Sequence, residues 1–409
     1  MQRKIVFLDI DGVFYRLIKR KITMNQRIVI NLALVTTFIF LFTDCKSRKE
    51  NDNSLMQIDV SASYPEKEIM LEEVADIEYL QLEFDEDYLF SNPPCIVTSQ
   101  KIIISDRENV LIFSRNGKPL SKFNRKGQGP GEYTYIYELL YDETSDEVFL
   151  KSEDKFLVYS SSGKYKRTFP LLGRFYDIFS KFVNYDSETI LLYDDDAGYP
   201  DNYSSAFSFI SKKNGSVVDS IMIPKGKRVA HFAQTSAESI VYAPPYWIVK
   251  HRDGYLLTDY SIDTVYFFSR EKKLTPILVR KPNIQSMNTN IILNSMIEAG
   301  NYNFFLSITI KAVEENGRYR LPSKYLMRDK KTGSVYQQKI TFKDYQGKII
   351  NISPKIIENT KDSRLGLVVL DLTELIDANA ENKISGKLKE LVENSDELGN
   401  DILILLHFK

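Results

Sequence analysis

A repeated hairpin constrains this chain more than any other feature. VLIFSRNGKPLSKF (110–123), FLVYSSSGKYKRTF (156–169), SFISKKNGSVVDSI (208–221), TVYFFSREKKLTPIL (264–278) and YLMRDKKTGSVYQQKI (325–340) share one pattern. Each is an alternating apolar run, a polar turn and a second alternating run. Alternation with a period of two belongs to strands, whose side chains point to opposite faces in turn. Gly117, Gly163, Gly215 and Gly333 mark four of the turns, and the 264–278 copy has lost its glycine. The N-G, S-G, N-G and T-G turns predict two-residue hairpins with positive φ, which Gly tolerates without steric cost. Gly117 to Gly163 is 46 residues and Gly163 to Gly215 is 52. A further strand precedes four of the hairpins: KIIISD (101–106), EVFLKS (147–152), TILLYD (189–194) and GYLLTDY (254–260). Three to four strands in a repeat of about 50 residues is the pattern of a β-propeller blade.

The expected fold is therefore all-β, a six-bladed β-propeller over residues 65–409. Five hairpins cover about 96–342. Residues 65–90 and the closing strands GLVVLDL and DILILLHFK are left to make a sixth blade from the two ends of the chain. Joining the ends closes the ring and removes exposed sheet edges. The 25 Tyr and 24 Phe suit strands. The balance of 54 Lys+Arg against 55 Asp+Glu leaves no basic surplus, so no nucleic-acid partner is expected.

Residues 28–42, IVINLALVTTFIFLF, are too short to span a bilayer and suit the apolar core of a signal peptide. A basic start (Met24–Arg27) precedes them; Cys45 and the polar run KSRKENDNS follow. This arrangement resembles a bacterial lipoprotein signal over 24–45. The resemblance implies a lipid on Cys45, a membrane as partner, and a cell-envelope location at the inner or outer membrane. Asp44 stands where such signals carry a small residue, and an uncleaved anchor is the alternative. Residues 46–64 read as a flexible tether. Residues 1–23 hold Asp9-Ile10-Asp11-Gly12-Val13, which resembles the first motif of haloacid-dehalogenase-like phosphatases. No βαβ unit follows, so this segment reads as a fragment or a mis-called start, with Met24 the other candidate start. Cys95 leads into an apolar strand and reads as a packed thiol.

KGQGPGEY, with Gly127, Gly129, Pro130, Gly131, Glu132 and Tyr133, lies between the first two hairpins. It reads as a sharp turn carrying the chain into the next blade, with Gly129 expected at positive φ. The functional alternative is an anion cradle of backbone N–H groups, although Pro130 removes a donor and no helix follows. The stretch FNRKGQGPGEY after VLIFSRNGKPL, the strand SIDTVYFF (261–268) and the close DILILLHFK together resemble the six-bladed β-propeller lipoproteins of Bacteroidetes, relatives of the NHL-repeat propellers. The resemblance covers about 65–409 and implies fold and lineage, with little about activity.

Candidate chemistry is sparse. His231, His251 and His407 are the only histidines, and neither GxSxG nor HExxH occurs. Asp194, Asp196 and Asp201 are the oxygen ligands that a Ca²⁺ ion would use, but their spacing is not that of an EF-hand and a solvated loop is the plainer reading. No cofactor is otherwise expected. Tyr246 and Trp247 in VYAPPYWIVK are either a ligand platform on the channel face or part of a core between blades. The favoured function is a lipid-anchored binding or scaffold module for a protein, peptide or glycan, without catalysis. The alternative is a propeller enzyme of the NHL-like lyase or lactonase type, with a site in the central channel. Catalysis predicts carboxylates and a His converging on the channel mouth. Binding predicts aromatic and uncharged polar groups there.

Overall fold

The computed structural model describes residues 55–90, 95–171, 181–193, 207–223, 227–235, 240–244, 246–357 and 362–409. Cys45, the signal segment and residues 1–23 lie outside the described residues, as do Asp194, Asp196 and Asp201.

The fold is all-β and propeller-like. Blades 1 to 3 are four-stranded antiparallel sheets in simple sequence order. Blade 1 is Cys95–Val97, Lys101–Ser105, Asn109–Ser114 and Pro119–Asn124. Blade 2 is Glu138–Asp142, Glu147–Ser152, Lys155–Tyr159 and Tyr165–Pro170. Blade 3 is Lys181–Asn184, Thr189–Tyr193, Phe207–Ser211 and Val217–Ile221. Blade 4 runs from Ile248–His251 through Gly254–Leu257 and Thr264–Phe268 to Leu274–Lys281. Blade 5 begins with the broken strand Ile291–Leu293 and Ile297–Ala299, and continues through Tyr302–Thr309, Ser323–Asp329 and Val335–Phe342. A cis peptide joins Lys281 to Pro282 just after blade 4.

The two ends of the chain do meet. Ile402–Phe408 is the middle strand of a sheet, antiparallel to Ala75–Leu80 on one side and to Leu365–Leu370 on the other. That sheet has three strands, so the expectation of six full blades is corrected to five full blades and this smaller closing sheet. The reason lies in residues 65–90, which were expected to serve the closing blade alone. Glu66–Met70 instead lies parallel along the outer strand of blade 5. The acidic stretch after Leu80 forms only a short 3₁₀ turn, Glu86–Tyr88. Asp and Glu in sequence suit turns better than a ladder.

The tether is shorter than its sequence suggests. Met56–Asp59 forms a strand parallel to the outer strand of blade 4, with Ile58 and Val60 buried. Deleting residues through Asp59 therefore removes buried apolar surface and exposes a sheet edge.

The hairpin glycines take positive φ, at 88° for Gly117, 77° for Gly163, 74° for Gly215 and 77° for Gly333. The loops are longer than the predicted two residues. Ser114 N–H bonds Lys118 O while Gly117 N–H returns to Ser114 O, a three-residue loop with glycine at its left-handed position. Where the glycine is lost, Lys272 takes φ 59° in its place. A second constraint was not visible in sequence. A Cβ on Gly215 would stand 2.0 Å from Pro170 O, and one on Gly163 would stand 2.8 Å from Phe123. Each hairpin thus packs against the outer strand of the blade before it.

Apolar cores run between neighbouring sheets. Ile103 and Leu157 belong to the core joining blades 1 and 2. Phe149 and Phe182 belong to that joining blades 2 and 3. The largest core continues from blade 3 through blades 4 and 5 to Ile404 and Leu406 of the closing sheet. Leu403 and Leu405, on the opposite face of the same strand, pack with Ile102 and Phe113 of blade 1. Cys95 sits in that last core; burial pushes its thiol up to about 12, so it is a packed, unreactive group.

Two helices, Leu372–Ala380 and Gly386–Glu393, connect the outer strand Leu365–Leu370 of the closing sheet to its middle strand Ile402–Phe408. They bury Leu372, Leu375 and Ala378, and Leu388 and Val392, respectively. Asp371 caps the first by accepting from Glu374 N–H at 2.8 Å.

Candidate functional site

The first strands of blades 1 to 4 surround a cleft of about 590 Å³, so these are the innermost strands. The cleft reaches from Ile96, Glu138 and Ile248 to the turns that carry Thr98, Glu143, Asp186 and Asp253. Inner strands point their side chains alternately at the two neighbouring blades. Leu139 and Tyr141 enter the core shared with blade 1, and Leu140 enters the core shared with blade 3. What remains for the cleft is the polar ends of the strands and the turns.

Four of the carboxylates on its wall are committed to partners, and a fifth, Asp253, is exposed. Glu138 Oε1 lies 2.9 Å from Lys181 Nζ. Asp142 Oδ2 lies 2.6 Å from Lys212 Nζ, with both side chains nearly inaccessible. Burial pushes the Asp142 carboxyl up, but Lys212 outweighs that and holds it below the usual range. Glu143 accepts from Ser99 Oγ at 2.7 Å. Asp186 accepts from Thr189 N–H at 2.7 Å and Glu188 N–H at 2.8 Å. Asp146, just beyond the rim, is opposed by burial but held down at about 2 by Lys101, Ser161 and Tyr141.

Tyr141, Tyr185 and Tyr255 supply the aromatic surface. Tyr141 OH donates to Asp146 Oδ1 at 2.9 Å, and Tyr255 OH donates to Asn184 O at 3.1 Å. Asn184 Nδ2 donates to Tyr141 O at 3.1 Å, while its buried Oδ1 accepts from no group among the described residues. Arg252 reaches across to Glu298 of blade 5 at 3.1 Å. Arg270, in the blade 4 hairpin, uses Nε on Asp253 O at 3.0 Å.

Among the described residues none of the three histidines lines this cleft. His231 is buried against Trp247 and Tyr260. His407 lies on the closing strand, its Nε2 2.8 Å from a Glu78 that Arg115 also clamps through both carboxylate oxygens at 2.9 Å. His251 is buried beside Phe267, ring centroids 5.8 Å apart. Burial lowers its pKa from 6.5 to about 4. The unfolded chain takes this proton near pH 6.5 and the folded one only near 4, so stability falls as pH drops through that window. Urea midpoints at pH 7 and 4.5 should differ more for the native chain than for His251→Phe, by up to roughly 3 kcal/mol. Equal acid dependence in both would show that His251 is not the group responsible.

Of the two readings of the aromatic pair, the structure places it in a core between blades. Trp247 is 1% exposed and Tyr246 7%. The Trp247 ring lies 4.1 Å from that of Tyr193 and 5.6 Å from that of Tyr260, between blades 3 and 4. Both rings serve the core, where their apolar area is worth more than on the surface.

The glycine-rich turn closes on itself. Gly129 N–H donates to Glu132 Oε2 at 2.8 Å, so the carboxylate of Glu132 fills the cradle that an external anion would need. Gly127 N–H donates to Tyr133 O at 2.9 Å. Tyr133 is fully buried, and its OH donates to Glu108 O at 2.6 Å. Positive φ falls on Gly131, at 76°, and not on Gly129 as expected. A Cβ on Gly127 or Gly129 would meet Glu132 Oε2, at 2.0 and 3.1 Å, and would displace that carboxylate from the Gly129 N–H it accepts. Pro130 sits at the bend between Gly129 and Gly131. Among the described residues no three of His, Cys, Asp and Glu are grouped to hold a metal ion.

The cleft was missed in sequence because its wall comes from turns of four blades. A usable signal existed in the polar residues at or just after the ends of three inner strands, Asp142, Asn184 and Arg252.

A family model described as a domain of unknown function, DUF4934, matches residues 55–407. No curated protein matches the chain. Among solved structures, the chain is similar to a Bacteroides fragilis protein described as exported, with 16% identity and a TM-score of 0.60, covering 87% of this chain and 99% of that one. It is also similar to a member of the DUF4221 family from Bacteroides vulgatus, with 12% identity and a TM-score of 0.46, covering 82% and 97%. The first likeness supports the propeller-like fold, and the second is too distant to carry an argument.

Proposed function

We propose that this chain, which belongs to the DUF4934 family, is an exported binding module of the cell envelope whose ligand enters the cleft between blades 1 and 4. The fold resembles that of an exported Bacteroides fragilis protein, and the apolar run before Cys45 supplies a matching export signal. Lipid on Cys45 is the anchor in this reading. Cys45→Ser should abolish labelling by a radioactive fatty acid and release the protein from membranes. Labelling that persists in the variant would overturn the anchor.

The observation that carries binding over catalysis is the state of the cleft carboxylates. Glu138, Asp142, Glu143 and Asp186 are each engaged by a cation or by hydrogen-bond donors, and the remaining Asp253 is exposed at the rim with no histidine beside it in the described lining, whereas a general base needs a carboxylate or imidazole poised toward its substrate. Tyrosine faces and an amide fit non-covalent recognition, since they offer large contact with little entropy to lose. The volume lies within the range of ordinary ligand pockets.

Ser187 is exposed at the rim, so Ser187→Trp should obstruct the mouth without disturbing the fold. Ligand-observed NMR with a panel of oligosaccharides and short peptides should find at least one binder that this variant weakens tenfold or more. A panel in which nothing binds, or in which every binder ignores Ser187→Trp, would overturn the site.

A further inference from the structure

The geometry points to a short acidic glycan as the ligand, its carboxylate held by Arg270 at the seam between blades 3 and 4. This inference rests on the cleft being the binding site.

Three groups at that seam have hydrogen-bonding capacity that no described residue uses. Asn184 Oδ1 is buried on the cleft wall and accepts nothing from the described residues. A buried amide oxygen left so costs free energy unless a donor arrives. Tyr185 OH has no hydrogen-bond partner among the described residues, and its ring is fixed by Tyr255 at 5.8 Å and by Phe209 at 4.8 Å. Arg270 spends Nε on Asp253 O, which orients the guanidinium and leaves its two terminal nitrogens for a bidentate partner. Arg270 lies near enough to Tyr185 and Tyr255 to influence both hydroxyls electrostatically.

These groups specify a ligand in parts. The guanidinium fork matches a carboxylate. An amide oxygen calls for a donor and a phenol for a donor or acceptor, and vicinal hydroxyls meet both needs. A cationic ligand is less well served, because Glu138, Asp142, Glu143 and Asp186 already have partners and, of the lining carboxylates, only the exposed Asp253 is left to meet it. A peptide is disfavoured for a different reason. Strand addition needs a long free edge, and the inner strands Cys95–Val97, Glu138–Asp142, Lys181–Asn184 and Ile248–His251 have only three, five, four and four residues. The recess offers side chains more than backbone. A molecule with hydroxyls around a rigid ring and one carboxylate satisfies all three groups together, and about 590 Å³ admits a short oligomer.

The test is isothermal titration of the full, detergent-solubilised chain with uronic-acid oligosaccharides of two to four rings. Neutral oligosaccharides of the same linkages and tripeptides with a free carboxylate are the comparisons. At least one acidic oligosaccharide should bind, at least tenfold tighter than its neutral counterpart. Arg270→Gln, at an exposed position, should abolish that preference and leave neutral binding and the melting temperature unchanged. Equal affinity for acidic and neutral sugars, or a preference that survives Arg270→Gln, would overturn the carboxylate anchor. In that case binding still lost in Ser187→Trp would leave the cleft standing as the site. Tripeptides that bind through Arg270 more tightly than any sugar would overturn the glycan and keep the cleft. An absence of binding by every probe would overturn the acidic glycan.

Discussion

Deleting residues 401–409 is expected to give insoluble, protease-sensitive protein with no cooperative unfolding transition. Ile402–Phe408 is the middle strand of the closing sheet, in register with Ala75–Leu80 and Leu365–Leu370. Ile402, Leu403, Ile404, Leu405 and Leu406 are each at most 1% exposed. Alternation sends Leu403 and Leu405 into the core with blade 1, and Ile402, Ile404 and Leu406 into the core with blade 5. Burying each such side chain contributes about 1.5–3 kcal/mol. Five of them together rival a whole folding free energy of about 5–15 kcal/mol. The deletion also strands two edges, and unpaired edges recruit other chains. Solubility, size-exclusion profile and urea unfolding of the truncated chain are the measurements. A soluble, monomeric and cooperatively folded product would show that the closing sheet is dispensable.

Asp142→Ala should cost about 3–5 kcal/mol, because it leaves the Lys212 ammonium buried without its counter-charge. The pair spans blades 2 and 3 at 2.6 Å. Lys212 also donates to Asp186 O, and its own carbonyl accepts from Arg167, whose guanidinium is held by Glu147. One carboxylate therefore anchors a network at the cleft wall. Replacing both partners by apolar residues, Asp142→Leu with Lys212→Met, should recover much of the loss, since the damage comes from the uncompensated charge. Chemical denaturation of the single and double variants separates these outcomes. A single variant within about 0.5 kcal/mol of the native chain would mean that Lys212 finds another partner or reaches water.

The elements legible in sequence were those set by neighbours in the chain. The second strands at Lys101–Ser105, Glu147–Ser152 and Thr189–Tyr193 fall where alternation placed them. The turn glycines take the left-handed conformation because residues without a Cβ do so freely, a property independent of the rest of the fold. Loop length was less legible: Gly117 closes a three-residue loop, and N-G alone does not distinguish that from two. The site was hardly legible. Trp247 has the same side chain whether it faces a ligand or a core, and burial, a property of the packed molecule, put it in the core.

Sequence alone thus determined the strands, the hairpins and the meeting of the two ends, because these follow from period-two patterning and local turn chemistry. Tertiary structure decided where Met56–Asp59 and Glu66–Met70 go. Parallel pairing along blades 4 and 5 has no connecting turn to announce it. That choice left three strands for the closing sheet. Tertiary structure also decided the cleft, because Glu138 and Lys181 are 43 residues apart and Asp142 and Lys212 are 70. Charges so separated have no signature in the chain, and become neighbours only when the blades pack.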